Sequence, residues 1–271
     1  MQIPFKINRN IRERRMFSAA AGIVAELRNA GFEAYIVGGA VRDLCLGKLP
    51  KDYDITTNAV PAEIMKLFPR SIPLGASFGV VTVVADSMNF EVATFREERD
   101  YEDGRRPETL RFSKTPQEDV ARRDFTINAM AWSLNAGSFG ELVDPFDGMD
   151  DLEECVIRTP CDPDVTFSDD PLRMMRAVRF ASQLGFTIEG ETFDAIRRNA
   201  HRIRIVSRER IAAELNKIVL SPVPSMGFEL LELTGLLELI FPEMHNLKGV
   251  EKRGVHAHKD NFIHTLKVLD N

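Results

Sequence analysis

GGAVRDLCLGKLPKDYDI, residues 38–55, joins two glycines to a pair of aspartates one residue apart. The run before it, Ala34 to Val37, is short and apolar, as expected of a strand. After the glycines come residues suited to a short helix, among them Arg42 and Asp43. A second strand is expected from Asp52 to Thr56, and residues two apart along a strand point to the same face. Asp52 and Asp54 would then present two carboxylates side by side. Mg²⁺ takes oxygen ligands, often one or two carboxylates plus substrate phosphates. Beside a glycine turn through which backbone can approach a phosphate, the pattern suits a divalent cation and a nucleoside triphosphate. A bare DxD is common, and alone it fits a polar loop or an edge strand equally well. Glu91, in FEVATF (residues 90–95), is the candidate third acid. If Phe90, Val92 and Thr94 face one way, Glu91 faces the other with Ala93 and Phe95.

The chain has 271 residues, enough for one large domain or two small ones. Its 44% hydrophobic and 28% charged content is that of an ordinary globular protein. It has no long uninterrupted apolar run, so no membrane span is expected. The start, MQIPFKINRNIRERRMF, is charged but lacks a following apolar stretch, so no secretory signal is expected. Cys45, Cys155 and Cys161 are odd in number and lack metal-like spacing. They read as reduced thiols of a cytoplasmic protein. A net charge of −6 argues weakly against a nucleic-acid partner, but local distribution matters more. Residues 96–111 are basic but interleaved with acids, whereas 197–210 (RRNAHRIRIVSRER) hold few acids. Either run alone reads as a solvated charged face.

The first half mixes helix and strand signals, with helices over Met16–Ala30 and Pro61–Phe68. Strands are expected at Val80–Ala85, Phe90–Phe95, Leu110–Phe112 and Leu142–Val143. Phe125 to Leu134 is an apolar run interrupted by Thr126 and Asn128, and a turn is marked at Gly137–Gly140. After DPFDGMDD (144–151) only a short strand, Val156–Arg158, is expected. From Pro171 the pattern turns helical: Pro171–Leu184, Glu191–Asn199, Arg208–Leu220 and Ser225–Ile240. The expected fold is α+β, a small mixed sheet flanked by helices and followed by a mostly helical domain. Boundaries are drawn at 1–147, 148–245 and 246–271. The last segment reads as the opening helix of a further domain, cut at Asn271 without a stop signal.

Taken together, GGAVRD, DYD, FEVATFR (90–96), YEDGRRP (101–107), EDVARRDFTINAMA (118–131), DPFDGMDDL (144–152), DDPLRMMRAVRF (169–180) and SRERIAAEL (207–215) carry a resemblance. The chain resembles the class II tRNA nucleotidyltransferase and bacterial poly(A) polymerase family over nearly its whole length. The resemblance implies a nucleotidyltransferase head carrying the metal site, then a helical neck that reads the incoming base. It implies that Asp52 and Asp54 bind Mg²⁺ and, with Glu91, form the catalytic acids. Gly39 and Arg42 would hold the triphosphate. Arg123 would touch the nucleotide, with Asp124 and Asn128 acting around the ribose. Asp170 and Arg173, in DDPLR, would hydrogen-bond the base edge in place of a template. The family usually has Glu-Asp here, and Asp169 departs from it.

The residues allow plainer readings as well. Asp170 before Pro171 is a good helix N-cap. Asn128 in an apolar run needs a buried partner, which backbone alone could supply. Arg173 is harder to dismiss, since a cation in the first helical turn opposes the helix dipole and calls for a partner. Arg176 and Arg179 follow at three-residue steps on the same face, where the resemblance favours phosphate and base contacts. HKDNFIHTLKVLDN (258–271) resembles the opening of an HD-type domain. Without the paired His-Asp of such a site, His256, His258 and His264 read as structural or exposed.

The implied activity is template-independent addition of CCA, from CTP and ATP, to the 3′ end of tRNA. The charged loop from Arg96 to Pro107 favours CCA addition, because CC-adding members have it shortened. Poly(A) synthesis and CC or A addition are the alternatives within the family. Outside it stands an inactive RNA-binding module, which would be expected to lose the acids or the base-reading pair. A dinucleotide-binding oxidoreductase is rejected because the next glycine after Gly39 is Gly47, so GxGxxG is missing. Oligomeric state is not legible in the sequence.

Overall fold

The computed structural model describes residues 15–99, 109–113, 115–134, 140–249 and 260–271. The described chain divides into two compact units, one running to Glu154 and the other starting at Cys155.

The first unit begins with α1 (Arg15–Asn29), β1 (Ala34–Val37), α2 (Gly39–Cys45), β2 (Asp54–Thr57) and α3 (Pro61–Leu67). Then come β3 (Ser71–Gly75), β4 (Val80–Ala85), β5 (Met88–Thr94), β6 (Arg96–Arg99) and β7 (Thr109–Phe112). It closes with α4 (Pro116–Ala121), a 3₁₀ turn (Thr126–Asn128), β8 (Ala131–Trp132), β9 (Leu142–Val143) and α5 (Gly148–Glu153). Seven strands form one mixed sheet in the order β3-β4-β5-β2-β1-β8-β9, while β6 and β7 pair separately. Only β2 and β5 are parallel neighbours in the large sheet. Helix α1 buries Phe17, Ala20, Ile23, Val24 and Leu27, a stripe at helical spacing, against β1, β2 and β4. Ile36 and Ile55, paired across β1 and β2, are buried in the same core. Each such side chain contributes about 1.5–3 kcal/mol on burial. A second cluster joins Val37 to Val120 of α4 and to Ala129 and Ala131, with Tyr35, Val143 and Phe146 packed against it. The sheet is therefore covered beside the point where β1 ends.

The second unit holds β10 (Val156–Ile157), α6 (Pro163–Asp169), α7 (Leu172–Leu184), β11 (Thr187–Ile188) and α8 (Gly190–Asn199). A 3₁₀ segment (Ala200–Ile205), α9 (Arg208–Val219), α10 (Pro224–Leu233), α11 (Leu236–Ile240), α12 (Pro242–His245) and α13 (Asn261–Leu269) follow. Helix α7 is the hub, packing on α9 and α10. Gly227 of α10 leaves room for its neighbours, since a Cβ there would collide with the Ile218 side chain of α9 and crowd Ser182 of α7. Ser182 hydrogen-bonds the Ser221 hydroxyl and donates to Val223 O at 2.9 Å.

The observed architecture is the α+β arrangement expected: a mixed sheet flanked by helices, then a helical unit. Four local differences have physical causes. Strand β2 starts at Asp54 rather than Asp52, because its partner β1 ends at Val37, opposite Asp54. Strand β3 was not anticipated; Pro73 sits in it, tolerated because β3 is an edge strand. Helix α6 was not anticipated either, although Asp162 caps it and Pro163 opens it. The helix expected over Ser225–Ile240 breaks at Gly235, which takes φ 75°. Residues 100–107 of the charged loop, 137–139 of the expected turn, and His256 and His258 lie outside the described residues; His264 is exposed. Among the described residues no helix is long and apolar enough to cross a membrane.

Candidate active site

In the first unit the sheet register assembles the acids. Val37 pairs with Asp54, so Asp54 lies across from the last residue before the glycine turn. Ile55 pairs with Val92 in the parallel ladder, which places Glu91 beside Asp54 on the next strand. Asp52 lies in the loop just before β2, exposed, and Tyr53 between the two aspartates is buried edge-on to Phe17. Asp54 is in the ladder and Asp52 is not, so the strand alternation expected to pair them does not extend to Asp52, although its charge still acts on Asp54. Burial pushes the Asp54 carboxyl up to about 6, and the charges of Asp52 and Glu91 push the same way against the pull of Arg123. The fold therefore leaves negative charge here that it does not neutralise itself.

Gly38 takes φ 71°, a backbone region that favours glycine, and donates its N–H to Met130 O at 3.2 Å. A Cβ on Gly38 would stand 2.5 Å from Arg123 Nη1, so that guanidinium lies directly against the turn. Gly39 opens α2, and a Cβ there would sit 3.5 Å from Arg42 Nη2, an ordinary contact. Arg42 donates Nη1–H to Asn128 Oδ1 (2.7 Å), and both Nε–H (3.0 Å) and Nη2–H (2.7 Å) to Asp43 Oδ1. Asn128 in turn donates to Asp124 Oδ1 at 3.0 Å, which also accepts from Phe125 N at 2.9 Å. Gly39, Arg42, Arg123, Asp124 and Asn128 are thus brought together around the end of β1. Asn128 finds side-chain rather than purely backbone partners.

Among the described residues no group of three His, Cys, Asp or Glu side chains could hold a metal ion unaided. The donors present fit Mg²⁺ nonetheless, because it binds through one or two carboxylates with phosphate oxygens completing the shell. Asp54, held at about 6 by burial and by neighbouring acids, is a carboxylate whose ionised form such a cation would stabilise.

The second unit carries the other candidates. Asp170 ends α6, and its Oδ1 accepts from Leu172 N at 3.1 Å, so it caps the start of α7 as expected. Its Oδ2 accepts from Arg210 Nη2 at 2.8 Å. Arg173 places Nη1 3.5 Å from Thr166 O, which supplies a partner for a cation in the first turn of α7. Arg202 donates to Ser168 O at 3.1 Å, so arginines hold two carbonyls near the α6 C-terminus. Arg173, Arg176 and Arg179 are all half-buried along one line of α7. They differ in what they touch. Arg179 pairs with the buried Glu214 at 2.9 Å and lies 4.1 Å over the Phe180 ring, whereas Arg176 lies 5.6 Å from that ring centroid.

Three residues near the candidates are not singled out from sequence: Thr56, Asp119 and Arg210. For Asp119 a signal existed, since Arg122 and Arg123 follow it at three and four residues, just past the C-terminal end of α4. The role of Thr56 depends on the register of β2.

Comparison with known proteins identifies the family. Residues 34–158 match the family described as "Poly A polymerase head domain", and residues 185–248 match "Probable RNA and SrmB- binding site of polymerase A". A CCA-adding enzyme of Geobacillus thermodenitrificans is 46% identical over 220 residues, 81% of this chain and 54% of that protein. One from Lactiplantibacillus plantarum is 45% identical over 221 residues, 82% of this chain and 52% of that protein. The crystal structure of the Bacillus stearothermophilus CCA-adding enzyme in complex with CTP superposes with a TM-score of 0.75 at 39% identity. That match covers 82% of this chain and 53% of the other. The Thermotoga maritima CCA-adding enzyme complexed with tRNA gives 0.73 at 27% identity, covering 91% and 60%. The chain spans about half the length of the curated relatives it matches. With both units accounted for by one family, the chain belongs to the class II tRNA nucleotidyltransferase and poly(A) polymerase family, of which it carries the head and the RNA-binding region that follows.

Proposed function

We propose that the protein adds CCA to the 3′ end of tRNA, using CTP and ATP, by nucleotidyl transfer. The observation that carries this reading is the sheet register. It sets Asp54 opposite the residue before the Gly38 turn and beside Glu91, with a carboxyl that burial and its neighbours hold at about 6. The names of the relatives and the CTP and tRNA complexes among the similar structures support the same reading.

Asp52 and Asp54 would hold Mg²⁺, which when bound would lower the cost of charge on the attacking and leaving oxygens. Glu91 adds negative charge beside them. The Gly38–Gly39 backbone and the Arg42 and Arg123 guanidiniums orient the triphosphate. Asp124 and Asn128, fixed to each other and to Arg42, meet the ribose. The RNA 3′-hydroxyl oxygen attacks the α-phosphorus, a phosphodiester forms, and pyrophosphate leaves. Positioning and charge stabilisation supply most of the rate. In the neck, Asp170 accepts and Arg173 donates, so together they match the mixed donor and acceptor edges of cytosine and adenine. Arg176 extends that face; Arg179 contributes through its pairing with Glu214. The boundaries 1–147 for the head and 148–245 for the neck belong to this reading, as does a cytoplasmic location. Poly(A) synthesis is the second reading, favoured by the description of the matching head family.

The test uses tRNA transcripts ending before CCA, after CC, and an unrelated RNA, each with CTP, with ATP and with both. CCA addition expects two C residues on the first transcript with CTP alone, two C residues and then one A when ATP is added as well, and a single A on the second transcript with ATP alone. Long A tracts on unrelated RNA would replace it with poly(A) synthesis, and no incorporation with any substrate would remove the enzymatic reading.

A further inference from the structure

Asp119 is fully buried, although it is an acid on a short helix. Its Oδ1 accepts two hydrogen bonds from Arg122, from Nε at 3.1 Å and Nη2 at 3.0 Å. Its Oδ2 accepts from the Thr56 hydroxyl at 3.1 Å and faces Arg123 Nη2 at 3.7 Å. Burial opposes the charge, but Arg122, Arg123 and Thr56 together hold this carboxyl below the usual range. Burying an ion pair is seldom the cheapest way to stabilise a fold, and apolar residues often serve as well. The charge at this position therefore calls for a further role.

Its partners supply one. Thr56 lies two residues from Asp54 on β2 and shares its face. Arg123 lies against the Gly38 turn, where Nη1 comes within 2.5 Å of the point a Cβ would occupy. The Nε of Arg123 is buried without a hydrogen-bond partner among the described residues. At 3.7 Å, Asp119 is close enough to orient the Arg123 guanidinium by charge but too far to take up a donor by hydrogen bonding. One carboxylate thus links the strand of Asp54 to the arginine that lies against the Gly38 turn.

We propose that Asp119 is a positioning residue for nucleotide binding, holding Arg123 beneath the Gly38 turn in register with Asp54 so that its donors meet the triphosphate. The inference rests on the reading of Arg123 as a nucleotide-binding residue. Asp119 never touches the nucleotide. It acts through Arg123, with Arg122 as the cation that keeps the buried acid ionised. An asparagine in its place keeps an acceptor for Thr56 and loses the hold on Arg123.

Equilibrium dialysis of CTP with the wild-type chain, Asp119→Asn, Arg123→Gln and the double variant tests it, with thermal melts run alongside. Asp119→Asn is expected to weaken CTP binding on the order of tenfold, and the double variant to bind no more weakly than Arg123→Gln alone. In steady-state incorporation the KM for CTP rises by about the same factor, while kcat stays within about threefold. Wild-type affinity in Asp119→Asn or in Arg123→Gln, multiplying losses in the double variant, or a fall in kcat at unchanged KM each overturns the proposal. If Asp119→Asn does not fold, Thr56→Val removes one partner of the carboxylate and keeps both arginines. A smaller loss in the same direction, absent in the Arg123→Gln background, then supports the proposal, and unchanged affinity overturns it. Failure of the wild-type chain to bind CTP at all would instead remove the functional reading on which the inference rests.

Discussion

The acids of the two units are treated differently by their surroundings. In the neck, Glu214 is buried with Arg179 at 2.9 Å and Lys217 at 2.8 Å, and Asp170 has both oxygens engaged, by Arg210 and by Leu172 N. In the head, burial raises Asp54 most, Arg123 opposes it, and the neighbouring Asp52 and Glu91 raise it further. The neck completes its charges within the fold. The head leaves a deficit of positive charge at one point, beside the glycine turn. A deficit that costs stability persists where something outside the chain makes it good, and a divalent cation with a triphosphate does so here. Asp119 shows that the head can complete a buried charge elsewhere, so the deficit is local to the candidate active site.

Removing the acids should break the comparison most sharply. Asp52→Ala with Asp54→Ala should cut nucleotide incorporation about a thousandfold or more, the equivalent of several kcal/mol of charge stabilisation, in a gel-based extension assay. Incorporation at the wild-type rate would move the metal site elsewhere. In the neck, Glu214→Gln should cost about 3–5 kcal/mol in urea unfolding, because it strands Arg179. Asp54→Asn should do the opposite to stability. With the carboxyl at about 6 in the folded head, against an ordinary value near 3.8, the folded state favours the protonated form. Stability is then lost as pH rises from about 4 through about 6, so Asp54→Asn should stabilise the metal-free head by up to about 3 kcal/mol at pH 7 and by little at pH 4. Melting curves across that range check the sign. Arg173→Ala should reduce the preference for CTP and ATP over UTP and GTP by about 1–3 kcal/mol, read as a ratio of kcat/KM values. The smallest effect is expected of Arg210→Gln, since the Arg210–Asp170 pair is half-exposed and such pairs contribute about 1 kcal/mol or less.

Much of this contrast was legible in the chain itself, and the exceptions share a cause. The glycine turn, the acids, the arginines of α7 and the cap before Pro171 are local patterns, and local patterns survive translation into structure. What was not legible depends on pairing between distant segments. The start of β2 was placed two residues early because nothing in LPKDYDI reveals where β1 stops. The partner of Arg173 lies on α6, a helix too short to announce itself by periodicity. Arg179 looked like Arg173 and Arg176 until Glu214, from another helix, claimed it. Asp119 could be matched to its arginines by spacing, but not to Thr56, which reaches it only through the fold.

The two glycines that begin the motif look interchangeable on paper, yet they face opposite mutational fates. At position 38 any side chain meets both an unfavourable φ and the Arg123 guanidinium at 2.5 Å, whereas at 39 a methyl group would meet Arg42 at an ordinary 3.5 Å. Replacement at 38 should therefore strain the fold itself, chiefly through φ, while alanine at 39 should leave the fold intact and report only on the approach of the triphosphate. Two glycines one letter apart thus serve different ends, the first the path of the backbone and the second the space beside it.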